Sequence, residues 1–181
     1  MASQPNEPGV SATPAVSRDT PGMHPTGLAS IGRLERIWVK RAKRGPMDLK
    51  EEVILDAGRG IAGNANRGGR RQVTIIEREA WERHTSRLDA ELDPSARRAN
   101  LMVSGIALAR MRGRILRIGE CRIAIRGETR PCERMDEALP GLRNTMDAEW
   151  GGGAFGEVLD DGRIRVGDRV SWDEEPAPPL R

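Results

Sequence analysis

Short β-branched runs broken by glycine turns constrain this chain more than any other feature of it. Residues 33–40 (RLERIWVK), 53–56, 72–76 (QVTII), 114–118, 120–126, 154–159, 163–166 and 169–172 all read as strands. In the run 120–126, Cys121, Ile123 and Ile125 alternate with Arg122, Ala124 and Arg126, the period-2 pattern of a half-buried strand. Gly119-Glu120 fits a tight turn before it, and Asp161-Gly162 and Gly167-Asp168 separate the last three runs. Asp-Gly is a strong hairpin signal because its turn needs positive φ. Many short strands joined in this way predict a mainly β (α+β) fold, a small closed β-barrel or closed sheet.

Two helices are expected beside the strands. Residues 77–88 (EREAWERHTSRL) place Ala80, Trp81, His84 and Leu88 on one face, with His84 touching the edge of the core. Residues 131–139 (PCERMDEAL) place Cys132, Met135 and Leu139 on one face. Pro131 suits the first helical position, Thr129 is available as a cap, and Gly141 ends the segment. The folded unit is expected over 31–172. Residues 1–30 hold five of the twelve prolines with few charges and no apolar period, and read as a flexible tail. Residues 173–181 (DEEPAPPLR) read as a second, short tail.

At 181 residues, one domain can bury a real core without disulfides. No apolar run approaches the roughly 20 residues a membrane helix needs, and the start lacks a secretory pattern. A cytoplasmic setting is the expectation. The two cysteines, Cys121 and Cys132, have no Cys or His nearby, so neither a disulfide scaffold nor a zinc site is expected. With two histidines in the chain, triad or two-histidine chemistry has almost no material.

The two cysteines read differently. Cys121 points with Ile123 and Ile125 and is a small buried hydrophobe. Cys132 falls at the expected start of a helix between Arg130 and Arg134, where positive field favours the thiolate, the nucleophilic and metal-binding form of sulfur. On spacing alone, a merely packed helix-face cysteine is the stronger reading. The basic residues cluster as Lys40, Arg41, Lys43 and Arg44, then Arg67, Arg70 and Arg71, then Arg97 and Arg98, within a net charge of only +3. Such clusters attract anions, and arginine grips phosphate with two donors. Nucleic acid, a small phosphorylated ligand and a merely solvated surface all fit. With no Tyr and one Phe, the stacking platforms of single-strand binders are nearly absent.

The segment 127–135 (GETRPCERM) resembles the cysteine motif of the MOSC family, named for the C-terminal part of molybdenum cofactor sulfurase. The likeness extends over about 33–172. Residues 58–63 (GRGIAG) with 69–74 (GRRQVT) are similar to the family's glycine-rich loop and the strand after it. Residues 97–103 (RRANLMV) resemble its Arg-x-Asn-Leu-x-Val strand, 113–119 its next strand, and 152–159 with 162–168 its closing hairpin. The resemblance implies a β-barrel of the MOSC, pyruvate-kinase-barrel-like type with two or three peripheral helices, and binding of the molybdenum cofactor (molybdopterin). It implies that Cys132 ligates molybdenum or carries sulfur. It also implies that Arg98, Asn100 and Thr129 face the cofactor pocket, and that Arg70 and Arg71 hold the pterin phosphate. Where relatives often show Gly-Asp-x-His, this chain has Gly63-Asn64-Ala65-Asn66, which removes an acid and an imidazole from that loop.

Three functions follow as expectations. The first is an oxidoreductase that reduces small N-hydroxylated compounds with electrons from a separate reductase, since the chain has no Cys-rich iron–sulfur segment. The second is a sulfur carrier or cofactor-handling protein, with a Cys132 persulfide supplied by a cysteine desulfurase. The third, more distant, is a basic nucleic-acid-binding barrel.

Overall fold

The computed structural model describes Met1, residues 30–148 and residues 150–179. The expected tail over 1–30 lies outside the described residues except for its two ends. Among the described residues eleven strands form two sheets, with three short helices beside them. In chain order the elements are β1 (Gly32–Lys40), β2 (Met47–Lys50), β3 (Glu52–Asp56), β4 (Gly60–Ile61), β5 (Val73–Glu77), α1 (Arg78–Ser86), β6 (Leu101–Ser104), β7 (Arg114–Ile118), β8 (Cys121–Glu128), α2 (Arg134–Ala138), α3 (Leu142–Met146), β9 (Ala154–Val158), β10 (Gly162–Arg165) and β11 (Arg169–Pro176). A single 3-10 turn, Pro94–Arg97, precedes β6.

The larger sheet runs β11-β7-β8-β9-β5-β6-β1-β2, and Gly32 and Arg33 of β1 also pair with Val170 and Arg169 of β11. The smaller sheet is β10-β3-β4. Every pairing is antiparallel except β5 with β6. A parallel pair needs a crossover, and here α1 and the 3-10 turn make it.

Alternation along the central strands divides the apolar residues between two cores. Ile37 and Val39 of β1, Ile75 of β5, and Leu101 and Val103 of β6 face the main core. Their neighbours Trp38, Ile76 and Met102 face the other way, onto Trp81, Met135, Leu142 and Met146 of the helices. Cys121 is 2% exposed in the main core, as its strand pattern predicts. His84 is buried on α1, where Nε2 meets the Gly151 carbonyl at 3.0 Å. Burial holds its pKa below the usual histidine value.

Three local expectations change. The helix expected over 131–139 is shorter: α2 begins at Arg134, so Cys132 lies in the turn before it, outside the first helical turn. The cause is upstream. Thr129 N–H donates to the Gly153 carbonyl at 2.8 Å, which keeps the chain extended at the point where a cap was expected. Arg98 and Asn100 are not in a strand, because Asp93 caps the 3-10 turn through Ser95 N–H and leaves Arg98 at φ +60°. The last strand runs past 172 to Pro176, held by the Arg117–Asp173 ion pair and by Ala177 N–H on the Gly113 carbonyl.

Candidate functional site

A cavity of about 360 Å³ opens where the crossover returns to the sheet. Six segments meet there: the end of β1 with the loop after it, Asn66 in the loop after β4, Arg71 and Thr74 at the start of β5, the crossover residues 97–100, Thr129 with the turn that carries Cys132, and Gly152 before β9. Seven cations line it, namely Lys40, Lys43, Arg44, Arg71, Arg97, Arg98 and Arg134, and no Asp or Glu does. Several arginines elsewhere are paired: Arg67 with Asp56, Arg117 with Asp173, Arg122 with Asp160 and Arg126 with Glu157. None of the seven cavity cations has a carboxylate partner among the described residues.

Arg97 is the most unusual of them. It is 7% exposed, and its Nε and Nη2 donate to the Gly152 carbonyl at 3.1 and 2.8 Å, with Nη2 also donating to the Thr129 carbonyl at 3.0 Å. Burial depresses its pKa to about 10, opposed by the nearby Cys132 sulfur and reinforced by Arg71. Lys40 is also held below its ordinary value, by burial first and then by the charges of Arg98, Arg71, Arg97 and Arg134. For Arg98 burial comes first and Arg134 second. Buried charge is costly unless it is paired. The cavity therefore carries an electrostatic cost that an anion would offset.

The walls are braced by amides. Asn100 Nδ2 donates to the Trp38 carbonyl and to Asn64 Oδ1, both at 3.2 Å, and its Oδ1 accepts from Thr74 N–H and Oγ1–H. Asn64 Oδ1 also accepts from Lys40 N–H at 2.9 Å. This network joins β1, β5, the crossover residue just before β6 and the loop after β4. The backbone comes very close at one point: a Cβ on Gly152 would lie 1.8 Å from the Thr129 carbonyl and 3.0 Å from Arg97 Nη2. Thr129 is 7% exposed, and its Oγ1 is buried without a hydrogen-bond partner.

Of the residues singled out from sequence, Cys132, Arg71, Arg98, Asn100 and Thr129 share this cavity. Cys132 is exposed and unpaired. Arg71 lies over the Phe155 ring, 5.0 Å from its centroid. Arg70 is exposed and does not line the cavity. Lys40, Lys43, Arg44 and Arg97, to which only clustering pointed, join the site, as does Arg134, the arginine beside Cys132. Among the described residues, no group of three or more His, Cys, Asp or Glu could hold a metal ion.

Residues 62–171 match the MOSC domain as a family. The chain belongs to the MOSC domain family. Its fold is similar to that of the YuaD protein from Bacillus subtilis, with a TM-score of 0.67, 20% identity and coverage of 78% of this chain and 95% of that one. It is also similar to YiiM from Geobacillus stearothermophilus (TM-score 0.66, 17% identity, 79% and 75% covered) and to YiiM from Escherichia coli (0.58, 18%, 79% and 70%). No curated protein gives a significant match. Among the described residues no helix of this MOSC protein is long and apolar enough to cross a membrane.

Proposed function

We propose that the cavity binds a molybdenum cofactor (molybdopterin), with Cys132 as the protein thiolate on the metal, and that the protein reduces small N-hydroxylated compounds. The observation that carries this reading is the pairing of an exposed thiol with seven cations that have no acidic counterpart. A pterin monophosphate is anionic, and arginines with close backbone suit it. The unpartnered Thr129 Oγ1 and the glycine approach at Gly152 also fit a polar guest. Cys132 is the only thiol lining the cavity, the other sulfur being the Met135 thioether, and thiolate suits a thiophilic metal. A metal there must arrive with its other ligands already attached, as a dithiolene cofactor provides.

When bound, the cofactor supplies the two-electron chemistry that removes oxygen from the substrate. The protein's share is placement and charge. Arg71, Arg98 and Lys40 would balance the phosphate, and Arg97 would draw the anion toward the floor. The Asn100–Thr74–Asn64 network fixes the wall against which the guest rests. Electrons would come from a separate reductase. A cytoplasmic setting and closure of the large sheet into a barrel through β1 and β11 belong to the same reading, supported by the two unpaired cysteines and by the Gly32–Val170 register.

A second reading, sulfur carriage on a Cys132 persulfide loaded by a cysteine desulfurase, draws support from the exposure of that sulfur. Nucleic-acid binding is less favoured, because the cations converge on a concave site instead of lying along an open face. Molybdenum and pterin analysis of the protein and of Cys132→Ala, both purified from cofactor-competent cells, tests the first reading. Metal in the parent and its loss in the folded variant are expected. No molybdenum in the parent, and no reduction of hydroxylaminopurine with a reductase supplied, would reject it. A sulfur adduct on Cys132 after desulfurase treatment would then favour the carrier.

A further inference from the structure

The two free thiols of this molecule sit in opposite fields. Cys121 is buried, and the charges of Asp160, Asp168, Glu120 and Asp161 surround it. Cys132 is exposed on the rim of a cavity lined by cations without carboxylates. Two polar side chains of the same cavity are more than nine-tenths buried and incompletely satisfied. Thr129 Oγ1 has no partner, and Arg97 gives Nε and Nη2 to carbonyls and has no carboxylate partner among the described residues. These features describe a receptor for a carboxylate or phosphate held beside an exposed sulfur.

We propose that Cys132 is a charge-selective thiol–disulfide exchange site whose preferred oxidant is an anionic low-molecular-weight disulfide, such as that of a carboxylate-bearing peptide thiol. Sites of roughly 300–1,000 Å³ accept small ligands, so about 360 Å³ accommodates one half of such a disulfide while the other half stays in solvent. The carboxylates of the inner half meet Arg97, Arg98 and Arg134. The Cys132 thiolate attacks the inner sulfur. A new S–S bond forms to Cys132, the original S–S bond breaks, and the outer half leaves as a thiolate that takes up a proton. The disulfide is itself the oxidant, reduced to one thiol as Cys132 is oxidised. Cys121 is buried in the main core, so no second thiol resolves the mixed disulfide. The adduct persists until an external thiol removes it, and until then the sulfur is not available as a ligand. This inference concerns the free protein and does not depend on the cofactor reading.

The test uses the reduced, cofactor-free full chain with glutathione disulfide (net negative), 2-hydroxyethyl disulfide (neutral) and cystamine (net positive). Adducts are followed by intact mass and peptide mapping, and each rate is divided by that of a small free thiol with the same reagent. At about 20 mM salt the normalised rate for glutathione disulfide should exceed that for cystamine by about tenfold or more. Near about 500 mM salt the ratio should shrink to about twofold or threefold. The adduct should map to Cys132, Arg134→Gln should reduce the ratio while the fold persists, and urea should abolish it. Equal normalised rates for the three reagents, a preference indifferent to salt, or modification at Cys121 would each overturn the proposal. Metal retention, measured separately, is untouched by any of these outcomes.

Discussion

Replacing Arg97 by methionine separates a brace from a receptor. At neutral pH the folded protein keeps this guanidinium charged in a site where burial has lowered its pKa to about 10. At about 1.4 kcal/mol per unit, that burial costs on the order of 3 kcal/mol. Arg97→Met removes the cost but leaves the Thr129 and Gly152 carbonyls without their donor. An orphaned buried polar group costs roughly 1–3 kcal/mol, and the open cavity lets water reach both, so the lower figure applies to each. The terms nearly cancel, and the ligand-free variant should lie within about 2 kcal/mol of the parent. Breaking a well-paired buried charge costs roughly 3–5 kcal/mol instead.

Ligand response separates the two proteins. A ligand at about one hundred times its Kd stabilises the parent by about 2.7 kcal/mol. With inorganic pyrophosphate as the probe, the variant should retain under about a third of that gain. Urea unfolding at pH 7 with and without pyrophosphate measures both quantities. The pH dependence adds a check. Because the folded pKa lies below the unfolded one, the unfolded chain binds more protons from about pH 10 up to the ordinary arginine range. The arginine's burden therefore lightens as pH rises through that window, and the parent should gain on the variant there. A variant that loses more than about 4 kcal/mol without pyrophosphate yet keeps its pyrophosphate gain would refute the reasoning and make Arg97 a structural strut.

Four further outcomes follow from the same structure. Cys132→Ala, at an exposed position, should change unfolding free energy by no more than about 0.5 kcal/mol while abolishing molybdenum retention in cofactor-competent cells. Gly152→Ala forces a Cβ to within 1.8 Å of the Thr129 carbonyl and should cost about 3 kcal/mol by denaturant unfolding. Asn100→Ala strips bonds to Trp38, Asn64 and Thr74 and should lower stability by about 2–4 kcal/mol, with broadened backbone NMR signals in the loop after β4. Arg122 holds the Asp160 carboxyl below its ordinary value, so the stability it adds is present above the unfolded pKa and lost as pH falls through the folded one. Asp160→Asn should flatten that acid decline by under about 1 kcal/mol, seen as a smaller difference in Tm between pH 6 and pH 3.

Strand positions were legible because alternation is a local property. Cys121, Ile123 and Ile125 announce one face of β8 whatever lies opposite. Trp81 and His84 announce the inner face of α1 in the same way. The cysteine turn was less legible, since the register of Thr129 against Gly153 decides whether residues 130–133 are helical, and that pairing spans distant parts of the chain. Arg97 and Arg98 are adjacent and chemically identical, yet the first is buried and the second half-exposed. Only the 3-10 turn, started by the Asp93 cap and Pro94, points one inward and the other toward the rim. Arg70 and Arg71 were separated by the same kind of one-residue choice.

The loop after β4 shows why a departure in sequence need not leave a gap in structure. Asn64 stands where relatives often carry an acid. It is 3% exposed and works in both directions, accepting from Lys40 N–H and Asn100 Nδ2 through Oδ1 and donating from Nδ2 to the Asn66 carbonyl. An ionised carboxylate could make the first two bonds but not the third, and would set its charge against the Asn66 carbonyl instead. The amide thus carries the wall of the cavity without placing an anion in it. That matters because the site draws its attraction from cations that have no internal partner. A carboxylate at position 64 would supply one beside Lys40 and so weaken the pull on an incoming anion. Brace and receptor are compatible here because the buried polar groups behind the cations are neutral amides and hydroxyls, while acids such as Asp160, Asp173 and Glu157 pair with other arginines away from the cavity.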